Sequence, residues 1–295
     1  MEPKPDKKLT DIIQRLTQEE NRWSAVLELK VHIHHPKWIP ELITYLSHPD
    51  WVVRWTVAEK LGDLRSEAAL THLIKLFSDP DSHVRKNAVK ALQKYKLPAV
   101  PILIDYLDHP HVEIRKGVSD ILMGFSELVL PEFEHLIPQK NWVIANRLLQ
   151  LTWLIEGARS EALLIRCLDI PDIQKTAIVL LGTCHNSQAV KPLLKLCVVP
   201  GLRKLILHQF SKMGAPLVFP ILVISAVSNQ ASLKEGAVWV ILKIGKPVIP
   251  YLSRAAAQKG ASQAPLLALI QKIDPESLKK KHPPSDKGFL GIFKS

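Results

Sequence analysis

The stretch that decides the fold is Asp79-Pro-Asp-Ser-His-Val-Arg-Lys-Asn-Ala-Val-Lys-Ala-Leu92. Its proline cannot continue a helical hydrogen-bond ladder, so a helix has to end before it. Asp81 can accept hydrogen bonds from the free N–H groups that open the next helix. Ala88, Val89 and Leu92 then recur at the spacing of one helix face. The stretch therefore predicts a helix, a tight turn and a second helix.

Copies of this stretch recur along the chain at nearly constant spacing. His48-Pro-Asp-Trp-Val-Val-Arg54 and Asp108-His-Pro-His-Val-Glu-Ile-Arg115 again place an arginine five residues after a proline. We call the site of this arginine the reference position. It recurs every 29 to 32 residues, at Arg22, Arg54, Arg85, Arg115, Ile144, Gln174, Arg203 and Lys234. Three residues later most copies have a small or β-branched residue, where we expect neighbouring helices to pack closely.

The fifth copy departs from this pattern. Gln139-Lys140-Asn141 replaces the Pro-Asp turn, Ile144 replaces the arginine, and Arg147 occupies the small-residue position. This departure indicates either a bend or an alignment that is off by a turn. A weaker ninth pair follows at residues 246–273, as expected for the end of a repeat array.

The stretch from Asp79 to Leu92 resembles the short bacterial HEAT repeats that are called HEAT-like repeats of the phycobilisome-lyase type. The resemblance covers residues 8–273 and is sharpest at 36–125. It implies an all-α fold, a right-handed α/α superhelix (solenoid) of about nine two-helix repeats. The repeats are expected at about 8–34, 36–63, 66–95, 97–125, 127–157, 159–184, 186–214, 215–245 and 246–273, within a solenoid domain of residues 1–275.

In that family the turn aspartate and the helix arginine form a ladder between successive repeats. By resemblance, this structural role falls to Asp50, Arg54, Asp81, Arg85, Arg115 and Arg203, and only weakly to Asp172 and Gln174. Independently of the family, Asp50, Asp81 and Asp172 are expected to cap the helices that follow them.

The second helices are expected, again by resemblance, to line a concave inner face. Positions one, five and nine after the reference position form one stripe of each second helix. Lysine can neutralise anionic groups and tryptophan supplies a large contact area, so their recurrence in this stripe favours binding. The candidate partner-binding residues are Trp23, Trp55, Lys86, Lys90, Lys94, Lys116, Trp153, Lys175, Lys204, His208, Lys212, Trp239 and Lys243. The alternative is that the lysines solvate an exposed face and the tryptophans fill gaps between repeats.

The formal net charge of +11 is distributed unevenly along the 295 residues. Residues 1–172 carry 22 basic and 24 acidic residues, whereas residues 173–295 carry 17 and 4. A surface of one sign attracts polyanions, which include nucleic acid, an acidic protein face and an anionic membrane. Net charge alone does not choose among them.

Cysteine usage and hydropathy suggest a cytoplasmic protein. Cys167, Cys184 and Cys197 are an odd number of cysteines in apolar helical patterns, which is typical of reduced, packed thiols. The longest apolar runs are about 13 residues and too short to span a bilayer. A signal peptide is not expected.

Catalytic and metal-binding motifs are not evident, so we expect no catalytic residue, cofactor or metal. A phosphate-cradling glycine loop, a G-x-S-x-G elbow and H-E-x-x-H are all missing. The His-Glu dyads of the iron-binding HEAT hydroxylases are also missing, since Glu134-His135 has the reverse order. His32-Ile-His34-His35-Pro36 could hold a metal, but helix capping or surface exposure is the favoured interpretation.

These features favour a non-catalytic, monomeric scaffold that binds a protein partner along the concave face. One alternative is nucleic-acid binding through residues 173–295, and a second is a bilin lyase-like or chaperone-like subunit. Residues 276–295 are expected to form a basic, flexible tail. Its apolar cluster of Phe289, Leu290, Ile292 and Phe293 could contact a partner or an anionic membrane.

Overall fold

The structure is a computed structural model that describes residues 7–258 and 263–276. Within these residues all regular secondary structure is helical, in consecutive helix pairs, which confirms the all-α, α-solenoid fold class. The chain divides into two compact units, Met1–Arg147 (unit 1) and Leu148–Ser295 (unit 2). The expected tail lies outside the described residues from position 277 onward.

Unit 1 contains nine complete helices in its described part. They are α1 (Lys7–Leu16), α2 (Arg22–His32), α3 (Ile39–Thr44), α4 (Trp51–Leu64), α5 (Glu67–Lys75), α6 (Ser82–Gln93), α7 (Val100–Asp105), α8 (Val112–Gly124) and α9 (Leu130–Leu136). Helix α10 (Trp142–Glu156) spans the boundary between the units.

Unit 2 continues with eight helices in its described part. They are α11 (Glu161–Cys167), α12 (Pro171–Leu181), α13 (Val190–Leu196), α14 (Pro200–Met213), α15 (Ala215–Ala226), α16 (Ala231–Ile244), α17 (Ile249–Ala256) and α18 (Gln263–Ile273). None of the helices in the described ranges is long and apolar enough to cross a membrane.

The turn between the two helices of a repeat is built in the same way in three successive copies. Helices α3, α5 and α7 each tighten into one 3-10 turn, Tyr45–Ser47, Leu76–Ser78 and Tyr106–Asp108 respectively. The next residue is extended, with ψ of 142° at His48, 138° at Asp79 and 141° at His109. An extended backbone is what the approaching proline requires, so the chain leaves one helix and enters the next within a few residues.

Side-chain caps open several of the second helices. Asp50 Oδ1 accepts the Val52 amide at 2.7 Å, and Asp81 Oδ1 accepts the His83 amide at 2.7 Å, which confirms both predicted caps. The prediction for Asp172 is wrong. Ile170 precedes α12 without a capping side chain, Pro171 is its first residue, and Asp172 lies inside the first turn. Proline suits the first position of a helix, because the first N–H groups of a helix have no acceptor within it and proline has no N–H.

Helix packing in unit 2 includes one approach that only glycine permits. Gly236 of α16 is buried against α13, and a Cβ at this residue would lie 1.9 Å from the carbonyl oxygen of Leu194. A backbone carbonyl cannot move aside as a flexible side chain can. The glycine therefore allows the close approach of α16 to α13.

We predict that Gly236→Ala lowers the free energy of unfolding by about 1–3 kcal/mol or more, because the added methyl group overpacks the helix contact. Urea denaturation followed by circular dichroism measures the change. Gly201→Ala in α14 is the matched control, since a Cβ there would have nothing within 4 Å. The control should change stability by no more than about 1 kcal/mol. Equal losses in the two variants would contradict the packing argument.

Candidate interaction surface on the second helices

A side chain at the reference position closes the turn in six of the copies. In each case it donates to the backbone carbonyl six residues earlier, near the end of the first helix. The pairs are Arg22–Leu16 (2.9 Å), Arg54–His48 (2.7 Å), Arg85–Asp79 (2.7 Å), Arg115–His109 (2.7 Å), Gln174–Leu168 (2.6 Å) and Arg203–Cys197 (2.7 Å). Carbonyls at helix ends lack partners within the helix, so this donor satisfies one of them.

Two of these arginines also form hydrogen bonds to the next repeat. Arg22 Nη2 donates to Asp50 at 3.1 Å. Arg54 forms two parallel hydrogen bonds to Asp79, of 2.8 Å and 2.9 Å, and both residues are buried. The hydrogen bond to Asp79 is the largest of the influences that raise the pKa of Arg54. The ladder here therefore uses Asp79 and not Asp81, which caps α6 instead.

The position six residues before the reference position has a role that the sequence interpretation missed. Its side chain accepts the amide two residues later, at 3.1 Å for His48, 2.9 Å for Asp79 and 3.2 Å for His109. The sequence carries a signal for this role in these three copies, because each has a polar acceptor two residues before the residue that precedes the second helix. Burial, followed by the neighbouring His111, Arg115 and Lys75, lowers the pKa of His109, which keeps its Nδ1 free to accept.

The fifth copy is aligned one residue away from the predicted register. Asn141 caps α10 by accepting the amides of Val143 and Ile144, both at 3.0 Å. In the third copy the capping residue, Asp81, lies four residues before the reference position. The same spacing from Asn141 places the reference position of the fifth copy at Ala145 and not at Ile144. The stripe of α10 is then Asn146, Gln150 and Leu154. Trp153 is half-buried beside this stripe, which corrects its predicted place on it.

In unit 1 the predicted surface residues differ in their surroundings. Trp23 is 64% exposed on α2, and Lys86, Lys90 and Lys116 are exposed on α6 and α8. Trp55 is half-buried under Lys30, whose Nζ lies 5.5 Å from the ring centroid. Lys94 is engaged, because its Nζ lies 2.6 Å from Asp63.

In unit 2 the predicted lysines and histidine are exposed, but the tryptophan is not. The exposed residues are Lys175, Lys204, His208, Lys212 and Lys243. Trp239 is half-buried and has the Arg203 guanidinium carbon 5.1 Å from its ring centroid. Arg203 also lies 3.8 Å from Glu235, so a cation already covers this aromatic ring.

The histidine cluster after α2 forms local contacts. His34 Nε2 contacts the Val31 carbonyl, and His34 Nδ1 lies 3.3 Å from Lys60 Nζ. Lys60 is buried and donates to the Lys30 carbonyl at 2.8 Å, so a lysine from the next repeat stabilises the end of α2. His35 Nδ1 accepts the Lys37 amide at 3.1 Å. Among the described residues, no group of three or more histidine, cysteine or acidic side chains could hold a metal ion.

Unit 2 contains a buried carboxyl group close to a buried thiol. Glu161 is 5% exposed, its Oε2 accepts from Asn186 Nδ2, and its Oε1 has no partner. Burial raises the pKa of Glu161. Burial, with a smaller contribution from Glu161, raises the pKa of Cys184 to about 11. Burial raises the pKa of Cys197 to about 12. Both thiols are therefore protonated at neutral pH and are poor nucleophiles.

Comparison with known families identifies the repeat. Residues 7–81 and 73–123 match the family model described as HEAT repeats. No curated protein matches the sequence.

Several solved structures are similar at low identity. The complex of CpcE and CpcF of phycocyanin lyase from Nostoc sp. PCC7120 is 17% identical, with a TM-score of 0.32, and the match covers 91% of this chain and 96% of that chain. Human deoxyhypusine hydroxylase in complex with glycerol is 15% identical, with a TM-score of 0.32 and coverage of 80% and 95%. An engineered protein is 14% identical, with a TM-score of 0.16 and coverage of 92% and 98%. At these TM-scores none of the three supports an argument about function.

We predict that Arg54→Ala lowers the free energy of unfolding by about 3–5 kcal/mol, because it leaves the buried Asp79 carboxylate without its cation. The midpoint of urea unfolding provides the measurement. Arg85→Ala is the matched control, since within the described residues Arg85 donates to two carbonyls of its own turn and to no carboxylate. The control should cost about 1–2 kcal/mol. A loss as large as that of Arg54→Ala would show that the ion pair between repeats contributes nothing extra.

We predict a pH-dependent stability difference between the wild type and Glu161→Gln. A raised pKa means that the folded chain binds the proton more tightly than the unfolded chain. The stability of the wild type therefore falls as the pH rises from the ordinary glutamate value of 4.5 through the raised folded value. Glu161→Gln lacks this loss, so its stability relative to wild type should increase over the same window. Urea unfolding at several pH values measures it, with the exposed Glu235→Gln as control. A constant difference between wild type and Glu161→Gln would refute the prediction.

Proposed function

We propose that the protein, whose residues 7–123 match the family model described as HEAT repeats, is a scaffold that binds a protein partner along the stripe of its second helices. One observation carries the proposal. Side chains suited to binding are exposed on this stripe and have no partner within the described residues, including Trp23, Lys86, Lys90 and Lys116. Repeat arrays present extended surfaces of this kind to other macromolecules.

The proposed role is non-catalytic. The cysteine thiols are buried, and the raised pKa values of Cys184 and Cys197 suppress the thiolate that a nucleophile needs. Glu161 is engaged by Asn186, which fits a structural carboxyl group. We also propose a monomer in the cytoplasm, where reduced thiols are expected.

Nucleic-acid binding by unit 2 is the second candidate. Lys175, Lys204, Lys212 and Lys243 are exposed and have no ion-pair partner within the described residues. Single-stranded nucleic acid usually stacks its bases on open aromatic faces. Trp239 does not offer such a face, because the Arg203 guanidinium lies against it. A protein partner is therefore favoured, and the bilin-lyase alternative, which rests on repeat type alone, is not favoured.

We predict that the full chain, immobilised and exposed to lysate, retains specific proteins with and without nuclease treatment. The triple variant Trp23→Ala, Lys86→Glu, Lys116→Glu should lose them, because it changes the exposed stripe and leaves the packed face intact. Lys272→Glu, an exposed change on α18, is the control and should retain them.

Recovery of nucleic acid alone, with affinity that falls steeply as salt rises, would replace the proposed function by the second candidate. Retention by the triple variant of every protein that the wild type binds would remove the second-helix stripe as the binding surface.

A further inference from the structure

The stripe of α2 is apolar and exposed over its whole length. Trp23, Leu27 and Val31 are 64%, 64% and 58% exposed, and they follow each other at four-residue spacing. The opposite face of α2 is buried through Ala25, Val26 and Leu29. The helix is thus apolar on the packed face and on the free face. Contiguous exposed apolar side chains of this kind mark an interaction site more often than an ordinary surface.

The adjacent stripe of α4 is acidic, but neighbouring helices already neutralise it. Lys30 Nζ of α2 lies 2.9 Å from Glu59 Oε2, in an ion pair. Lys94, which directly follows α6, lies 2.6 Å from Asp63. These carboxylates therefore offer little charge to a partner.

The stripe of α6 and α8 carries an excess of positive charge. Lys86, Lys90 and Lys116 are exposed and have no ion-pair partner within the described residues. Asp120 lies on the stripe of α8 one turn beyond Lys116, so the three lysines still leave an excess of positive charge. Positive side chains in this arrangement attract a partner with carboxylates.

We infer that unit 1 binds a protein segment that carries apolar side chains at one end and acidic side chains at the other. We call its site the apolar–basic surface: Trp23, Leu27 and Val31, followed by Lys86, Lys90 and Lys116. The inference rests on the proposed function and adds the chemistry of the partner. The two ends of the surface lie on helices of one unit, and α2 packs on α4, α4 on α6, and α6 on α8.

The spacing of the helices sets the length of this segment. Packed helices lie about 8–10 Å apart, so three steps from α2 to α8 span about 24–30 Å. An extended chain advances about 3.3 Å per residue, and about 7–9 residues cover that distance. A short linear segment is therefore sufficient, with its apolar residues on α2 and its carboxylates on α6 and α8.

The charge and shape of the surface favour an acidic protein segment over other occupants. A nucleic acid would meet the lysines, but the α2 end offers aliphatic Leu27 and Val31 beside one tryptophan. The cations Arg22 and Lys30 of α2 already form ion pairs with Asp50 and Glu59, so they offer little charge to phosphates. The chain's own segment 279–295 is apolar and basic, so its lysines would repel Lys86 and Lys90.

Fluorescence anisotropy with a labelled twelve-residue peptide, leucine and phenylalanine in one half and glutamate in the other, tests the inference. The full chain should bind this peptide and not the version with lysine in place of glutamate. Leu27→Glu and the double variant Lys86→Glu, Lys90→Glu should each raise the Kd about tenfold or more. The control double variant Lys175→Glu, Lys204→Glu in unit 2 should stay within about twofold of wild type. Far-UV circular dichroism verifies that each variant is folded.

Several outcomes would overturn the inference. These are no binding of the glutamate peptide, equal binding of the lysine peptide, or a Kd that neither unit 1 variant changes. Binding of a peptide of residues 279–295, or of single-stranded DNA, with the same dependence on Leu27 and Lys86 would assign the surface to those occupants. The two failures are distinguishable: if the wild type still captures proteins after nuclease treatment and the peptide does not bind, only this inference fails.

Discussion

The structure depends on one repeated hydrogen bond, in which a long side chain on the second helix donates to a carbonyl at the end of the first. A helix end leaves carbonyls without partners, and a tight turn brings them close to the next helix but does not satisfy them. Arginine suits this position because its guanidinium has five donors. Arg54 donates to two carbonyls of its own turn and still has two N–H groups for Asp79 of the next repeat. One side chain thus fixes both the turn within a repeat and the stacking between repeats.

Local features of the fold could be predicted from the sequence, whereas contacts between repeats could not. The helix pairs and the caps at Asp50 and Asp81 follow from local chemistry, namely apolar periodicity, proline and short acceptors, and the structure confirms them. The family match over residues 7–123 confirms the HEAT resemblance. Which of Asp79 and Asp81 faces the preceding arginine could not be predicted. Both flank one proline and both have an extended ψ, so local chemistry does not distinguish them. Only the packing of the preceding repeat brings Arg54 to Asp79, while Asp81 caps α6.

The fifth copy and the surface residues were harder to predict, for a different reason. Without an arginine the register of α10 depended on spacing alone, and a shift of one residue moves each side chain to another part of the helix surface. Residues of the same type on the stripes of different second helices also differ in exposure, as Trp23 and Trp239 show. Trp239 has Arg203 over its ring, while Trp23 has no such neighbour among the described residues. Contacts between helices set this difference, and a single sequence does not display them.

The buried cysteines can report the local unfolding of unit 2, because all three lie in that unit. Cys167, Cys184 and Cys197 are all buried in unit 2, and unit 1 has no cysteine in its sequence. A buried thiol reacts with an alkylating reagent only when the surrounding helices separate. The rate of alkylation of the unmodified protein therefore reports the opening of unit 2 alone, and it allows the local stability of one half of the array to be followed without introducing a label.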